Sequence, residues 1–286
     1  MKFKYFKPTS IEEALTLKSV YSESKFVAGG TDVFVLIKKK VINPPILISL
    51  RNIPSLNGIE ESNDKIIIKS GTTLREIEKS ELIQKNFPAL YDALINMASV
   101  QIRNVGTIGG NICNASPAAD TASPMLIYDA KVKVIDFKLN EKIYDLKDFF
   151  TGVKKTVLGE NELLLEFILH RNSKNCGSAY YKFMKRKAMD LANVGVAIKL
   201  EMDKKKIKDV RVGLSTVAPT PIRAFKTEEF LKGKEFSEKI LEQAGEIAKN
   251  ECSPIDDIRG LAWHKREIVK VYVKRVSLIA YKRIKQ

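Results

Sequence analysis

A short apolar segment, Lys25-Phe26-Val27, runs into Ala28-Gly29-Gly30-Thr31-Asp32 and then into an apolar helical stretch over residues 33–39. A chain that passes from strand to helix through paired glycines has few ways to fold, because the strand needs a sheet and the helix must pack beside it. Glycines at this turn let backbone N–H groups approach an anion, and the start of a helix adds partial positive charge. Taken alone the segment reads as an ordinary turn. It matches neither GxGxxG nor GxxxxGK[ST], so it carries neither a Rossmann nor a P-loop fingerprint. With the buried strand Ile46-Leu47-Ile48-Ser49-Leu50 behind it, it predicts a small α/β unit. A helix precedes the unit, with Ser10 and Glu13 in capping-box spacing and Ala14, Leu15 and Leu17 on its buried side.

Further on, Lys65-Ile66-Ile67-Ile68-Lys69 reads as a strand, Thr73-Leu74-Arg75-Glu76 as another capping box, and residues 87–98 as an amphipathic helix beginning at Pro88. A run rich in Gly, Ser, Thr, Asn and Ala then covers residues 103–123 and holds a second glycine pair, Thr107-Ile108-Gly109-Gly110-Asn111. Residues this small are poor core material and good material for a backbone-lined groove around an extended polar ligand. Two anion-ready loops on adjacent units point to one diphosphate clamped between them, and so to a nucleotide cofactor. An alternating strand at residues 131–135 and a buried one at 163–168 complete the second unit, and the polar tract 171–177 marks a boundary. Strands near residues 180–185, 195–202 and 208–214, then helices from about Thr227 and Ser237 and a terminal helix, make the last third.

Composition excludes several classes. With 286 residues, 44% of them apolar, the chain can fill a real core, and ordinary Gly and Pro usage rules out a disordered or fibrous chain. No stretch approaches the roughly 18 apolar residues of a membrane span. The basic start leads into an amphipathic helix rather than a signal-peptide core, which predicts a cytoplasmic protein. Cys113, Cys176 and Cys252 are odd in number and far apart, so they suggest neither a disulfide framework nor a metal knuckle. His170 and His264 are isolated and receive no role. The net charge is +15, and residues 261–286 hold eight Lys or Arg against the single acid Glu267. That basic face reads as solvated surface or as a docking surface for an acidic partner subunit. The charge also raises a nucleic-acid-binding protein, but exposed aromatics are not interleaved with it as a stacking platform requires.

In chain order, five segments together resemble one family. They are Ala28-Gly29-Gly30-Thr31-Asp32; Gln101-Ile102-Arg103-Asn104 with Thr107-Ile108-Gly109-Gly110-Asn111; Ser116-Pro117-Ala118-Ala119-Asp120; Tyr181-Lys182-Phe183 with Arg186-Lys187-Ala188-Met189-Asp190; and Ala218-Pro219-Thr220-Pro221-Ile222-Arg223. The family is the FAD-binding medium subunit of the molybdenum hydroxylases, and the chain is most similar to its bacterial xanthine dehydrogenase flavoprotein subunits. The resemblance spans essentially the whole chain. It implies an α+β fold with a two-part FAD-binding domain of the PCMH, vanillyl-alcohol-oxidase-like type over residues 1–57 and 58–176. A C-terminal α+β domain of the carbon monoxide dehydrogenase flavoprotein type would follow over 177–286.

The resemblance also implies FAD as the cofactor, with its pyrophosphate held by the backbones of Ala28, Gly29, Gly30, Thr31 and Asp32 and of Thr107, Ile108, Gly109, Gly110 and Asn111. Asp120 matches a position that binds the flavin's polar chain, Lys182 a lysine that contacts FAD, and Leu163 and Leu164 apolar residues beside the isoalloxazine ring. From the residues alone, Asp120 reads as a helix N-cap, Lys182 as a solvated strand lysine and the leucines as core. The implied partners are an iron-sulfur small subunit that passes electrons in, a molybdopterin-binding large subunit that hydroxylates substrate, and NAD or another acceptor. No catalytic residue and no metal ligand is assigned within this chain. The absence of cysteine between Asp120 and Glu162 sets it apart from relatives with an extra iron-sulfur cluster there. Two other readings are a self-sufficient flavin oxidoreductase of the same fold, whose catalytic and flavin-linking residues are not located here, and the nucleic-acid-binding protein.

Overall fold

In a computed structural model of the protein, which describes residues 3–186 and 188–284, the first unit is a three-stranded parallel sheet. Strands β1 (Lys4–Phe6) and β2 (Lys25–Val27) flank β3 (Ile46–Ser49), and helices α1 (Ile11–Val20) and α2 (Val33–Lys38) lie in the crossovers that parallel strands require. Ser10 caps α1 by accepting the Glu13 N–H, while the Glu13 carboxylate reaches back one residue further, to the Thr9 N–H.

The second unit contains β4 (Ile59–Ser62), β5 (Lys65–Lys69), α3 (Leu74–Lys79), α4 (Glu81–Asn86), α5 (Pro88–Ile95), α6 (Val100–Arg103), α7 (Ile108–Cys113) and α8 (Ala122–Ile127). It continues through β6 (Lys131–Asp136), β7 (Glu141–Asp145), the hairpin β8 (Phe150–Gly152) and β9 (Lys155–Thr156), and β10 (Glu162–His170). Strands β4, β5, β10, β6 and β7 form an antiparallel sheet in that order. One face carries Ile66, Ile68, Val132, Val134 and Phe167 under the helices, packed with Phe87, Leu90, Ile108 and Ile112. The other presents Ile135, Leu163 and Leu165 to the first unit, against Leu15, Ile48 and Leu56. Each fully buried side chain of this size contributes roughly 1.5–3 kcal/mol, so the first unit is fixed to the second by apolar burial.

The small-residue run over 103–123 departs from its expected character as a surface groove. It forms α6, α7 and the approach to α8, and Ile108, Gly109, Ile112, Ala115, Ala119 and Ala122 are buried. Small side chains let backbones approach closely enough to make a core of their own.

Strands β11 (Cys176–Phe183), β12 (Val194–Asp203), β13 (Lys206–Ser215) and β14 (Ile222–Arg223) form the last sheet, antiparallel throughout. Helices α9 (Phe225–Leu231), α10 (Glu238–Asn250) and α11 (Ala262–Ile284) follow. One face packs Val196, Ile198 and Leu214 against Leu241, Val269 and Val273. The opposite face meets α5 and α8 of the second unit, with Tyr180 and Ala197 joining the core there.

The basic terminal helix pairs much of its charge within the protein, while Arg275 and Lys282 stay exposed. Lys274 pairs with Glu238 at 2.7 Å and Glu242 at 2.8 Å, Lys270 pairs with Glu246, and Glu267 takes Lys249 of α10 at 3.0 Å. Lys265 is buried on Asp257, Arg283 pairs with Asp92, and the Arg275 guanidinium lies over the Tyr272 ring. Most of these cations are spent on the protein itself; Lys285 lies outside the described residues. No helix among the described residues is long and apolar enough to cross a membrane.

The ion pairs make stability depend on pH. Burial alone would raise the Glu78 and Glu166 carboxyls, but hydrogen bonds from Arg103 and Arg75 to the first, and from Lys69 and Lys133 to the second, outweigh it. Both are held below the ordinary carboxylate range. A depressed folded-state value means that their stabilisation is complete above the unfolded-state pKa and is lost as pH falls through the folded one. Thermal unfolding midpoints should therefore be flat above about pH 5 and fall steeply below about pH 4. A midpoint unchanged down to about pH 3 would contradict this account.

Candidate cofactor-binding site

The two glycine loops meet. A Cβ on Gly29 would lie 1.9 Å from the Val105 carbonyl oxygen, just ahead of the second loop, and one on Gly106 would come within 3.6 Å of Thr31 Oγ1. Gly30 has φ +73° and lies against the Phe34 ring, which a Cβ would approach to 2.4 Å. Both glycines are required, Gly29 for the approach of the loops and Gly30 for the backbone conformation as well.

The loops differ in what they offer a ligand. Among the described residues, the backbone N–H groups of Ala28, Gly29, Gly30, Thr31 and Asp32 have no acceptor within the chain, and the first four residues are half-buried. In the second loop, four of the five backbone donors, those of residues 108–111, are spent within the chain. The Ile108 and Gly109 N–H groups donate to the Thr72 and Ser70 carbonyls at 3.1 and 2.8 Å, and those of Gly110 and Asn111 donate to Thr107 Oγ1 and its carbonyl. The expectation of two equivalent anion-ready loops is corrected on this point, because α7 starts on a filled cap. The second loop supplies a wall and one side chain: Thr121 Oγ1 donates to Asn111 Oδ1 at 2.6 Å, leaving the Asn111 amide nitrogen without an acceptor among the described residues. Buried Arg103 holds this wall through Glu78 Oε2 at 2.8 Å and the Met97 carbonyl at 2.6 Å.

Asp120 and Lys182 come together 62 residues apart in sequence. Lys182 Nζ donates to Asp120 Oδ2 at 2.8 Å and to the Asn96 carbonyl at 3.2 Å, and the side chains are only 1% and 7% exposed. Lys182 is therefore not a solvated strand lysine. Asp120 is not a helix cap either, since α8 begins at Ala122 with Thr121 in the N-cap position, and no side chain caps it. Burial pushes the Asp120 carboxyl up, against the pull of Lys182 and the hydrogen bonds from Lys182 and Tyr180. An ammonium has three N–H donors and only two find acceptors among the described residues, so one buried donor is left for a ligand.

Leu163 and Leu164 are adjacent on β10, where alternation sends them to opposite faces. Leu163 packs in the core shared with the first unit and Leu164 in the core under the helices. A ring could rest on only one of them. Asp32 is exposed and makes no cap hydrogen bond. Arg186 donates through its backbone to Asp190, and Lys187 of the same motif lies outside the described residues. Arg223 is a lock between units: it forks onto Glu228 with two 2.6 Å bonds and reaches Asp129 at 2.6 Å.

Sequence reasoning missed two residues beside the pair. Tyr180 donates to Asp120 Oδ1 at 3.1 Å. Thr216 has φ +69°, a conformation that costs a β-branched residue about 1–3 kcal/mol, and its buried hydroxyl has no partner among the described residues. The Thr216 N–H ties β13 to the turn before Asp120 through the Pro117 carbonyl at 2.8 Å. Tyr180 stands just ahead of the Tyr181-Lys182-Phe183 motif, in the segment read only as a strand near residues 180–185, and nothing marked Thr216. Unpaired amides in a row and a spare buried ammonium donor fit an extended anionic ligand such as the diphosphate and polar chain of a dinucleotide.

Comparisons with known proteins agree. Residues 1–170 match the family model for the FAD-binding domain in molybdopterin dehydrogenase, and residues 179–280 match that for the CO dehydrogenase flavoprotein C-terminal domain. The chain is 30% identical over 274 residues to the xanthine dehydrogenase FAD-binding subunit of Escherichia coli O157:H7, covering 95% of this chain and 94% of that one. It is 31% identical over 283 residues to the carbon monoxide dehydrogenase medium chain of Hydrogenophaga pseudoflava, covering 99% and 98%. A solved carbon monoxide dehydrogenase from the same organism superposes with a TM-score of 0.96 at 31% identity, covering 99% of this chain and 98% of that one.

Proposed function

Because the chain belongs to the FAD-binding subunits of the molybdenum hydroxylase family and carries FAD, we propose that it is the flavin station of a multi-subunit hydroxylase of the xanthine dehydrogenase kind. Bound FAD supplies the redox chemistry that links electrons from an iron-sulfur partner subunit to NAD or another acceptor. The chain's own residues bind and orient. The free amides of residues 28–32 take the pyrophosphate against the wall of residues 107–111, the Asn111 amide adds a side-chain donor, and the Asp120–Lys182 pair meets the polar part of the flavin. Of Leu163 and Leu164, one side chain contributes an apolar contact. The observation that carries this reading is the row of unpaired amides at a glycine turn packed on the second loop.

Substrate oxidation belongs to a molybdopterin-binding large subunit. The medium-subunit relatives serve enzymes named for caffeine, nicotinate and nicotine as well as xanthine, which favours a nitrogen heteroaromatic substrate. In an anaerobic mixture of the purified, FAD-loaded chain with xanthine, the flavin absorbance should persist until the iron-sulfur and molybdenum subunits are added, and then bleach. Bleaching by xanthine without partners would favour a self-sufficient flavoenzyme. A full complex that bleaches with carbon monoxide or glyceraldehyde and not with any heteroaromatic would remove the substrate assignment.

A further inference from the structure

Strand β11 alternates between two jobs. Tyr181 and Phe183 pack outward on Tyr272 of α11, with ring centroids 4.4 and 5.8 Å away, whereas Tyr180 and Lys182 turn inward. A phenol hydroxyl inside a core needs a partner. Tyr180, 5% exposed, has two: it donates to Asp120 Oδ1, and Ser215 is a second hydrogen-bonding neighbour. Ser215 Oγ in turn lies 3.5 Å from Ser123 Oγ.

The room for this cluster is built into the sheet. Lys182, Gly195 and Ser215 stand in register across β11, β12 and β13. A Cβ on Gly195 would come 2.2 Å from Ser215 Oγ and 2.9 Å from the Tyr180 hydroxyl oxygen. Glycine at this place on β12 is what leaves the hydroxyls space to meet. With Tyr180 on Oδ1 and Lys182 on Oδ2, both oxygens of Asp120 are held and the carboxylate cannot turn.

We propose that Tyr180 is a positioning residue of the flavin site, acting through Asp120 to fix the Lys182 ammonium with its third N–H toward the cofactor. This role rests on the reading of the site given above. The Tyr180 hydroxyl also draws negative charge from the carboxylate. Without it, Asp120 keeps more of its charge and pulls on Lys182, and a more negative surrounding disfavours the electron-rich reduced flavin.

The test uses the full-length purified protein and three readouts: the FAD dissociation constant, the visible flavin spectrum and the flavin midpoint potential. In Tyr180→Phe the affinity should fall about fivefold, the visible band should shift, and the potential should move to lower values. Gly195→Ala, which crowds the same hydroxyl, should reproduce these changes, and Ser215→Ala, which keeps the Tyr180–Asp120 bond, should give smaller ones. Asp120→Asn and Lys182→Met serve as controls for the site itself. If the controls move the potential and spectrum while Tyr180→Phe leaves both at parental values, the positioning role is refuted and the cofactor site stands. If the controls leave both unchanged with FAD bound, the site assignment falls and the role of Tyr180 falls with it.

Discussion

Gly29→Val should yield a protein almost devoid of FAD. The new Cβ would stand 1.9 Å from the Val105 oxygen and 2.6 Å from its carbonyl carbon, and these are backbone atoms that no rotamer change can move. Overpacking costs about 1–3 kcal/mol even where side chains can yield, so the loops must separate. Separation spoils the alignment of the five free amides, and a loss of about 1.4 kcal/mol in binding already means tenfold weaker retention. Gly110→Ala is the comparison: that position is exposed, and only Thr107 Oγ1, at 2.9 Å, lies near its Cβ. It should keep most of its flavin. Flavin absorbance per chain and thermal unfolding of the two variants decide the matter, and parental FAD content in Gly29→Val would mean that the loops do not form the clamp.

Arg223→Met should destabilise the protein by about 3–5 kcal/mol, because it strands buried Glu228 without its counterion. The Arg223 and Glu228 side chains are 4% and 10% exposed, and the same guanidinium reaches Asp129 and the Leu126 carbonyl of the second unit. The double variant Arg223→Met with Glu228→Met should recover much of the loss, since apolar replacement of both members of a buried pair is often near neutral. Chemical denaturation of the three proteins checks this. Equal loss in the single and the double variant would show that the arginine matters through packing rather than charge.

Features carried by adjacent residues were legible in the sequence. The strand, glycine pair and helix of residues 25–38 follow one another, and their apolar runs and glycines identify the turn without knowledge of the rest. Helices α6 to α8 were not legible as core because small residues carry little apolar periodicity. Their burial follows from backbone proximity, as at Gly109, where a Cβ would meet the Ser70 carbonyl oxygen at 2.6 Å. The Asp120–Lys182 pair was visible only through resemblance, and its burial not at all, since the residues arrive from different elements. The charge seam between the last two helices did leave a trace. Glu238, Glu242 and Glu246 recur every four residues, as Lys270 and Lys274 do, a spacing that places each set on one helix face.

The Asp92 carboxylate joins two distant parts of the molecule. It takes the Tyr180 N–H at 3.1 Å on one oxygen and the Arg283 fork at 2.7 and 3.0 Å across both, while Arg283 also donates to the Ser178 carbonyl at 2.7 Å. The last turn of α11 is thereby a lever whose short arm is the strand bearing Tyr180 and Lys182. Whatever grips that turn, whether a fused tag, an antibody or a neighbouring subunit, pulls on the Asp120–Lys182 cluster and so on the proposed flavin site, and an affinity handle for the protein is better placed away from α11.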